Sequence, residues 1–210
     1  MYYICFVFII KILYFGILNV VQLNSKEWCV VERKLKLVVA DNFKEFGERV
    51  NGHIQLIRNT DENFIVTNEL RRFANGEGKD VLLESVMDKD LYILSDIGNY
   101  GITYDMRGKK HRMSPDEHFQ DIKRVLSAVR GQADRITVVM PLLYESRQHR
   151  RKGRESLDCA LSLQELQKLG VQAIVTFDVH DPNIQNAVPT NMSFENFYPT
   201  NIILEELIKN

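Results

Sequence analysis

The feature that most constrains the fold of this chain is an alternation of short β-type runs with longer amphipathic stretches, which begins at Lys34. Apolar and β-branched residues dominate four of the runs and predict strands at 35–40, 91–95, 136–140 and 171–177. The stretches between them include apolar residues at helical spacing. Since neighbouring parallel strands need crossover connections of this kind, we expect an α/β fold with an open, mainly parallel sheet and helices on both faces.

Helix-terminus signals are strongest around 115–130. Ser114 can accept hydrogen bonds as the N-cap, Pro115 suits the first helical position, and Glu117 completes a capping box. Gly131 can end this helix. Weaker signals predict a helix capped by Asp41, a short strand at 65–66, a helix at 154–169 with Leu157, Leu161 and Leu166 facing the core, and a helix that starts at 181–182.

The segment 71–86 predicts a protruding β-hairpin. Asn75 and Gly76 tolerate positive φ, and β-type runs flank them on both sides. On the turn signal alone, Phe73 is a packing residue, and Asn75 and Glu77 serve only the turn.

Composition narrows the possible function classes. The 210 residues are 45% hydrophobic and 26% charged, which is typical of a globular chain. The formal net charge of −1 argues against a surface wholly committed to nucleic acid, so any basic site must be local. Cys5, Cys29 and Cys159 have no metal-ligand spacing and are too few for a disulfide framework, which favours a reducing compartment and a cytoplasmic protein.

Residues 1–33 form an apolar N-terminal extension, and we expect the folded domain at 34–210. The run 2–21 carries a single charge, Lys11, and is long enough to span a bilayer. Two interpretations stay open. The run is a membrane anchor that leaves the following domain in the cytoplasm by the positive-inside rule, or it is a buried extension without a membrane role.

Two loops that follow predicted strands are candidates for a ligand site, because ligands of open parallel sheets bind beyond the carboxyl ends of the strands. The first contains five Arg or Lys residues within 147–154, which suits a polyphosphate. A solvated basic loop or a nucleic-acid contact is the alternative. The second carries Asp178 and His180, which as residues i and i+2 of an extended chain could approach one cation such as Mg²⁺. A hydrogen-bonded structural histidine is the alternative there.

Taken in order, these segments resemble the ribose-phosphate diphosphokinase family, also called the phosphoribosyl pyrophosphate synthetases. Phe73, Asn75 and Glu77 are similar to the residues with which the family's hairpin reaches the adenine of ATP in a neighbouring subunit. On that resemblance the three side chains bind ATP.

The two loops carry the rest of the resemblance, which runs from about Leu35 to Asn210. The segment 144–150 resembles the family loop whose Arg-Gln pair contacts ATP, and Arg147 and Gln148 stand at that pair. The segment 178–185 is similar to the signature whose histidine helps to hold the Mg²⁺ of MgATP, which makes His180, and more weakly Asp178, the metal ligands. His149 stands where the family usually has Asp.

The resemblance implies a phosphoribosyltransferase-like N-terminal half. It also implies transfer of diphosphate from MgATP to ribose 5-phosphate, which makes phosphoribosyl pyrophosphate for nucleotide biosynthesis. We expect a homo-oligomer that does not bind nucleic acid. No catalytic residue is assigned to this chain, and the contacts to ribose 5-phosphate are expected in a second domain that is missing from it. The chain alone is therefore expected to be inactive or nearly so; the alternative is a non-catalytic regulatory subunit of such a synthetase.

Overall fold

The structure is a computed structural model and describes residues 20–23, 27–30, 34–129 and 131–209. In chain order, the strands are β1 (Val20–Leu23), β2 (Glu27–Val30), β3 (Lys34–Val39), β4 (Asn68–Arg72), β5 (Gly78–Leu82), β6 (Lys89–Leu94), β7 (Thr103–Met106), β8 (Lys109–Arg112), β9 (Arg135–Val139), β10 (Ala173–Phe177) and β11 (Ser193–Phe197). The α-helices are α1 (Lys44–Arg58), α2 (Pro115–Val129), α3 (Asp158–Lys168) and α4 (Thr200–Lys209).

Five strands form one parallel sheet in the order β11-β10-β9-β6-β3. Four of them are the strands that the sequence predicts, with ends that differ by one or two residues, so the predicted α/β class is confirmed. The edge strand β11 was not predicted. Its residues are only half-buried or exposed, and they therefore lack the continuous apolar run of a central strand.

Helices cover both faces of the sheet. On one face, α2 and α3 pack against alternate strand residues such as Leu91 and Ile93. On the other face, α1 packs against the residues between them, including Tyr92 and Leu94. Strand side chains alternate in direction, so each central strand contributes to two apolar cores.

The helix α2 begins as the sequence predicts. The backbone N–H of Glu117 donates to Ser114 Oγ at 3.3 Å, and the N–H of Ser114 donates to Glu117 Oε2 at 2.8 Å. This reciprocal pair is the capping box. Gly131, just beyond the helix, has a φ of +67°.

Two predictions about α1 and its surroundings are wrong. Asp41 does not cap α1, because it lies in a 3₁₀ turn, Asp41–Phe43, that precedes the helix. The N-cap position of this turn is Ala40, and no side chain caps it. This turn directs the buried Asn42 towards the sheet, where its amide donates to Ser95 Oγ at 3.1 Å. The predicted strand at 65–66 is a single bridge between Ile65 and Leu37.

The helix predicted at 154–169 starts four residues later, at Asp158, and its inward face differs from the prediction. Leu166 is buried, but Leu161 is 54% exposed and Leu157 is half-buried. With the helix starting at Asp158, its inward face consists of Cys159, Leu163 and Leu166, which follow the spacing i, i+4 and i+7. The helix predicted to start at 181–182 is a 3₁₀ helix at Pro182–Ala187.

Besides the pair of β1 and β2, two antiparallel hairpins stand apart from the main sheet. The predicted hairpin consists of β4 and β5 and begins three residues before the predicted segment. The second hairpin, β7 with β8, was not predicted. Its turn consists of Arg107 and Gly108, both with positive φ, and an arginine is not a usual signal for that conformation.

The N-terminal predictions fall mostly outside the described residues. Of the apolar run 2–21, only Val20 and Val21 are described, in β1, which pairs antiparallel with β2. Within the part of the chain that the structure describes, no helix has the length and apolar character needed to cross a membrane. The division into 1–33 and 34–210 remains a prediction.

Candidate functional site

The loops that follow β9 and β10 meet at the carboxyl edge of the sheet, because the two strands are parallel neighbours. His149 Nε2 lies 2.9 Å from Asp181 Oδ2, and Arg150 Nη2 donates to the same oxygen at 2.5 Å. The rings of His149 and His180 meet edge to face, with centroids 5.5 Å apart. Asp181 therefore ties the first loop to the second.

Hydrogen bonds hold the Asp181 carboxylate in its charged form. The backbone N–H of Asn183 donates to Oδ1 at 2.9 Å, and this bond is the largest cause that lowers the pKa of Asp181 to about 2. Bonds from Arg150, from the Asn183 amide and from His149 lower it further. Asp181 is thus ionised throughout the neutral range, and the same carboxylate caps the 3₁₀ helix that follows.

Arg147 and Gln148 lie in a tight turn of the first loop, with exposed side chains. The N–H of Gln148 donates to the Glu145 carbonyl at 2.8 Å, and Glu145 has a φ of +54°. The Gln148 carbonyl accepts a bond from Cys159 N–H at 3.3 Å, which connects the turn to the first turn of α3. These hydrogen bonds fix the backbone of the turn, and the side chains of Arg147 and Gln148 are exposed to solvent.

Asp178 and His180 are exposed on either side of the buried Val179. The strand argument that paired them is wrong, because β10 ends at Phe177 and Asp178 has a left-handed φ of +47°. Asn196 on β11 fixes this corner instead: its Oδ1 accepts a bond from the N–H of Val179 at 3.2 Å.

Asp178 and His180 are the residues of this corner whose donor atoms could hold a metal ion. Among the described residues, no group of three or more His, Cys, Asp or Glu side chains converges. Mg²⁺ usually keeps several waters and takes one or two carboxylates together with substrate phosphates. One carboxylate and one imidazole therefore fit a Mg²⁺ that a triphosphate already chelates, and do not form an all-protein cage.

Phe73, Asn75 and Glu77 occupy the tip of the β4–β5 hairpin. The N–H of Phe73 donates to the Glu77 carbonyl at 2.8 Å, and Asn75 Oδ1 accepts from the N–H of Glu77 at 3.1 Å. Phe73 is 48% exposed, which does not support the alternative in which it is a packing residue. No hydrogen bond or ion pair between described residues joins this tip to the loops after β9 and β10.

A buried ionic group anchors the turn end of this hairpin to α2. Arg72 forms an ion pair with Asp121, which is 6% exposed on its side chain, and Arg124 Nη1 donates to the other Asp121 oxygen at 2.5 Å. The Arg72 guanidinium also lies 5.1 Å from the centre of the Tyr104 ring on β7. Burial raises the pKa of Asp121, and the two arginines oppose that rise.

Both hairpins contribute residues to a cavity at the carboxyl end of β3. This cavity of about 220 Å³ separates the end of β3 from the hairpins, and among its lining residues are Ala40, Asp41, Leu70, Arg72 and Tyr104. The predicted site residues therefore form two groups, a hairpin tip and a pair of loops.

Sequence reasoning missed Asp181, Asn196 and Asp121. Asp181 was interpreted as a helix start, and that signal was correct in part, because the residue does cap the 3₁₀ helix. No local signal identifies its bonds to the first loop or the pairing of Arg72 with Asp121, whose partners are 49 residues apart.

Comparisons with known proteins agree on one family. The model of the N-terminal domain of ribose phosphate pyrophosphokinase matches residues 35–170. Ribose-phosphate pyrophosphokinase B of Dictyostelium discoideum is 29% identical over 139 residues, which are 66% of this chain and 38% of that protein. Ribose-phosphate pyrophosphokinase 1 of Schizosaccharomyces pombe is 32% identical over 118 residues, which are 55% of this chain and 25% of that protein.

A solved structure has the same fold. The crystal structure of phosphoribosylpyrophosphate synthetase from Mycobacterium smegmatis superposes with a TM-score of 0.66 and 20% identity. The superposition covers 85% of this chain and 53% of that one. The aligned parts thus span only a quarter to about half of the proteins compared.

Proposed function

Because this chain belongs to the ribose-phosphate pyrophosphokinase family, we propose that it is the MgATP-binding half of an enzyme that transfers diphosphate from ATP to ribose 5-phosphate. The product would be phosphoribosyl pyrophosphate, a precursor for nucleotide biosynthesis. The proposal includes a cytoplasmic location, a homo-oligomer, and contacts to ribose 5-phosphate that are made by residues outside this chain.

The single observation that carries the proposal is the junction of the loops after β9 and β10. The 2.9 Å contact between His149 and Asp181 brings the basic segment 147–154 against the corner that bears Asp178 and His180. A cationic loop beside a carboxylate and an imidazole suits a triphosphate with its chelated metal ion.

Diphosphoryl transfer asks for charge neutralisation and alignment more than for covalent chemistry from the protein. Arg147 would bind phosphate oxygens through paired hydrogen bonds, with Gln148 as a neutral donor beside it. His180 and Asp178 would hold Mg²⁺, which when bound neutralises charge on the triphosphate. Since Asp181 stays ionised, it keeps His149 and Arg150 in place before the ligand arrives.

The hairpin would supply base recognition. Phe73 offers an exposed ring for stacking on adenine, and the Asn75 and Glu77 side chains offer polar groups beside it. Phe73 is 48% exposed at this tip, which leaves its ring open to the nucleotide of a neighbouring subunit.

We expect both Arg147→Ala and His180→Ala to weaken binding of MgATP about tenfold, because each removes a group that faces the charged ligand. Isothermal titration calorimetry of the purified chain measures this. Lys168→Ala, which removes a charge at the C-terminal end of α3 on the opposite edge of the sheet, should bind as the wild type does. Equal affinities for all four proteins would contradict the assigned roles.

The second candidate function is a non-catalytic subunit that assembles with an active synthetase and regulates it. His149 favours it, since an imidazole bonded to Asp181 stands where the family usually has Asp. Co-purification with a full-length synthetase that does not depend on nucleotide would support this function, and loss of the complex without MgATP would favour the first.

A further inference from the structure

The second hairpin ends in a cationic turn that the proposed function leaves unused. Arg107 and Gly108 form the turn between β7 and β8, with φ values of +50° and +75°. The basic residues on and beside it are exposed; they are Arg107, Lys109, Lys110 and Arg112. Within residues 34–129 and 131–209, none of these four forms an ion pair.

This turn lies directly against the tip of the first hairpin. The N–H of Arg107 donates to the Ala74 carbonyl at 3.0 Å. A Cβ atom at Gly76 would lie 2.9 Å from Met106 Sδ, so the two turns are in close contact there. Arg107 therefore contacts Ala74, the residue that directly follows the exposed Phe73.

The charge at this junction is positive. Residues 103–112 carry four Arg or Lys side chains and one carboxylate, Asp105, and the first tip, 73–77, carries one carboxylate, Glu77, which leaves a surplus of two positive charges over the two segments. Arg71, next to the tip, is already paired with Glu69 at 2.5 Å. An exposed aromatic ring beside unpaired cations is complementary to a ligand that combines a flat base with an anionic group.

We propose that Arg107 is a nucleotide-binding residue that donates hydrogen bonds to a phosphate oxygen of the nucleotide whose base stacks on Phe73. This inference rests on the proposed function and adds a second phosphate contact, separate from Arg147. The left-handed φ of Arg107 and its bond to the Ala74 carbonyl fix its backbone next to the residue that follows Phe73, so no backbone freedom is lost there when the guanidinium binds a phosphate.

The test compares Arg107→Gln with Lys110→Gln in the full chain. Both variants remove one positive charge from the same hairpin, but Lys110 pairs with Asp105, so its side chain lies on the opposite face of the hairpin from Met106, which contacts the first tip. Calorimetric titration with MgATP should show about a tenfold loss of affinity for Arg107→Gln and less than about a threefold loss for Lys110→Gln. Adenosine, as a competitor, should bind both variants and the wild type equally.

Two results would overturn the inference while leaving the proposed function intact. Equal losses of MgATP affinity for the two variants would mean that the hairpin acts only through the long-range electrostatic attraction of its charges. A matching loss of adenosine affinity in Arg107→Gln would mean that the side chain acts on the base or on the shape of the tip. A wild-type chain that fails to bind MgATP would instead contradict the proposed function itself.

Discussion

At the scale of single residues, the Asp181 carboxylate organises the candidate site although no motif identifies it as a ligand-binding group. It accepts bonds from two side chains of the first loop and caps the 3₁₀ helix of the second. Arg147, Gln148 and His180, which the motifs do identify, are exposed and lie on the two loops that Asp181 connects.

We expect Asp181→Asn to remove an acid-sensitive part of the stability. The pKa of Asp181 is about 2 in the folded chain, against about 3.9 for an unfolded aspartate. A lowered pKa contributes stability that is fully present above the unfolded value and is lost as the pH falls from about 4 towards 2. Denaturant titrations across that window should show a larger loss for the wild type than for Asp181→Asn.

Asn at 181 keeps an acceptor for the N–H of Asn183, so the variant isolates the charge rather than the cap. Asp178→Asn is the matched control, because Asp178 is exposed and lies outside this set of bonds. Identical pH profiles for the wild type and Asp181→Asn would show that the carboxylate adds no pH-dependent stability.

At the scale of elements, local chemistry predicted the start of α2 correctly, whereas both the start and the buried face of α3 differ from the prediction. The capping box of α2 is formed by residues three apart, and the predicted bonds are present. For α3, a late start at Asp158 shifted the inward face, and Leu161 proved to be exposed.

Two alanine substitutions in α3 test this burial. Leu163→Ala should lower the free energy of unfolding by about 2–5 kcal/mol, because it leaves a cavity in the core. Leu161→Ala, the same change of residue on the exposed face, should lower it by no more than about 0.5 kcal/mol. Urea denaturation measures both, and equal losses would place the two leucines in similar surroundings.

At the scale of the whole molecule, the central strands of the sheet are buried on both faces, whereas its edge strand β11 is only partly buried. β9 lies in the middle of the five strands, and its residues contribute to the cores on both faces. β11 forms an edge with half-buried residues, and the two hairpins stand outside the sheet.

Amide hydrogen exchange should follow this layout. The amides of β6 and β9 should exchange at least about a hundredfold more slowly than those of β11 and β8, because their opening requires both cores to come apart. NMR or mass spectrometry of exchanged chains measures the order. Protection of β11 equal to that of β9 would contradict the arrangement.

The sequence alone determined the fold class, four strands of the sheet, the start of α2 and the hairpin that contains Asn75 and Gly76. Each follows from residues within one turn or one strand, where period, caps and turn chemistry act locally. Only the tertiary structure decided that Asp181 joins two loops, that Asp121 anchors Arg72, and that Arg107 lies beside Ala74. These contacts join residues 31–49 positions apart, and whether two such residues meet depends on how the strands are ordered in the sheet rather than on any local pattern.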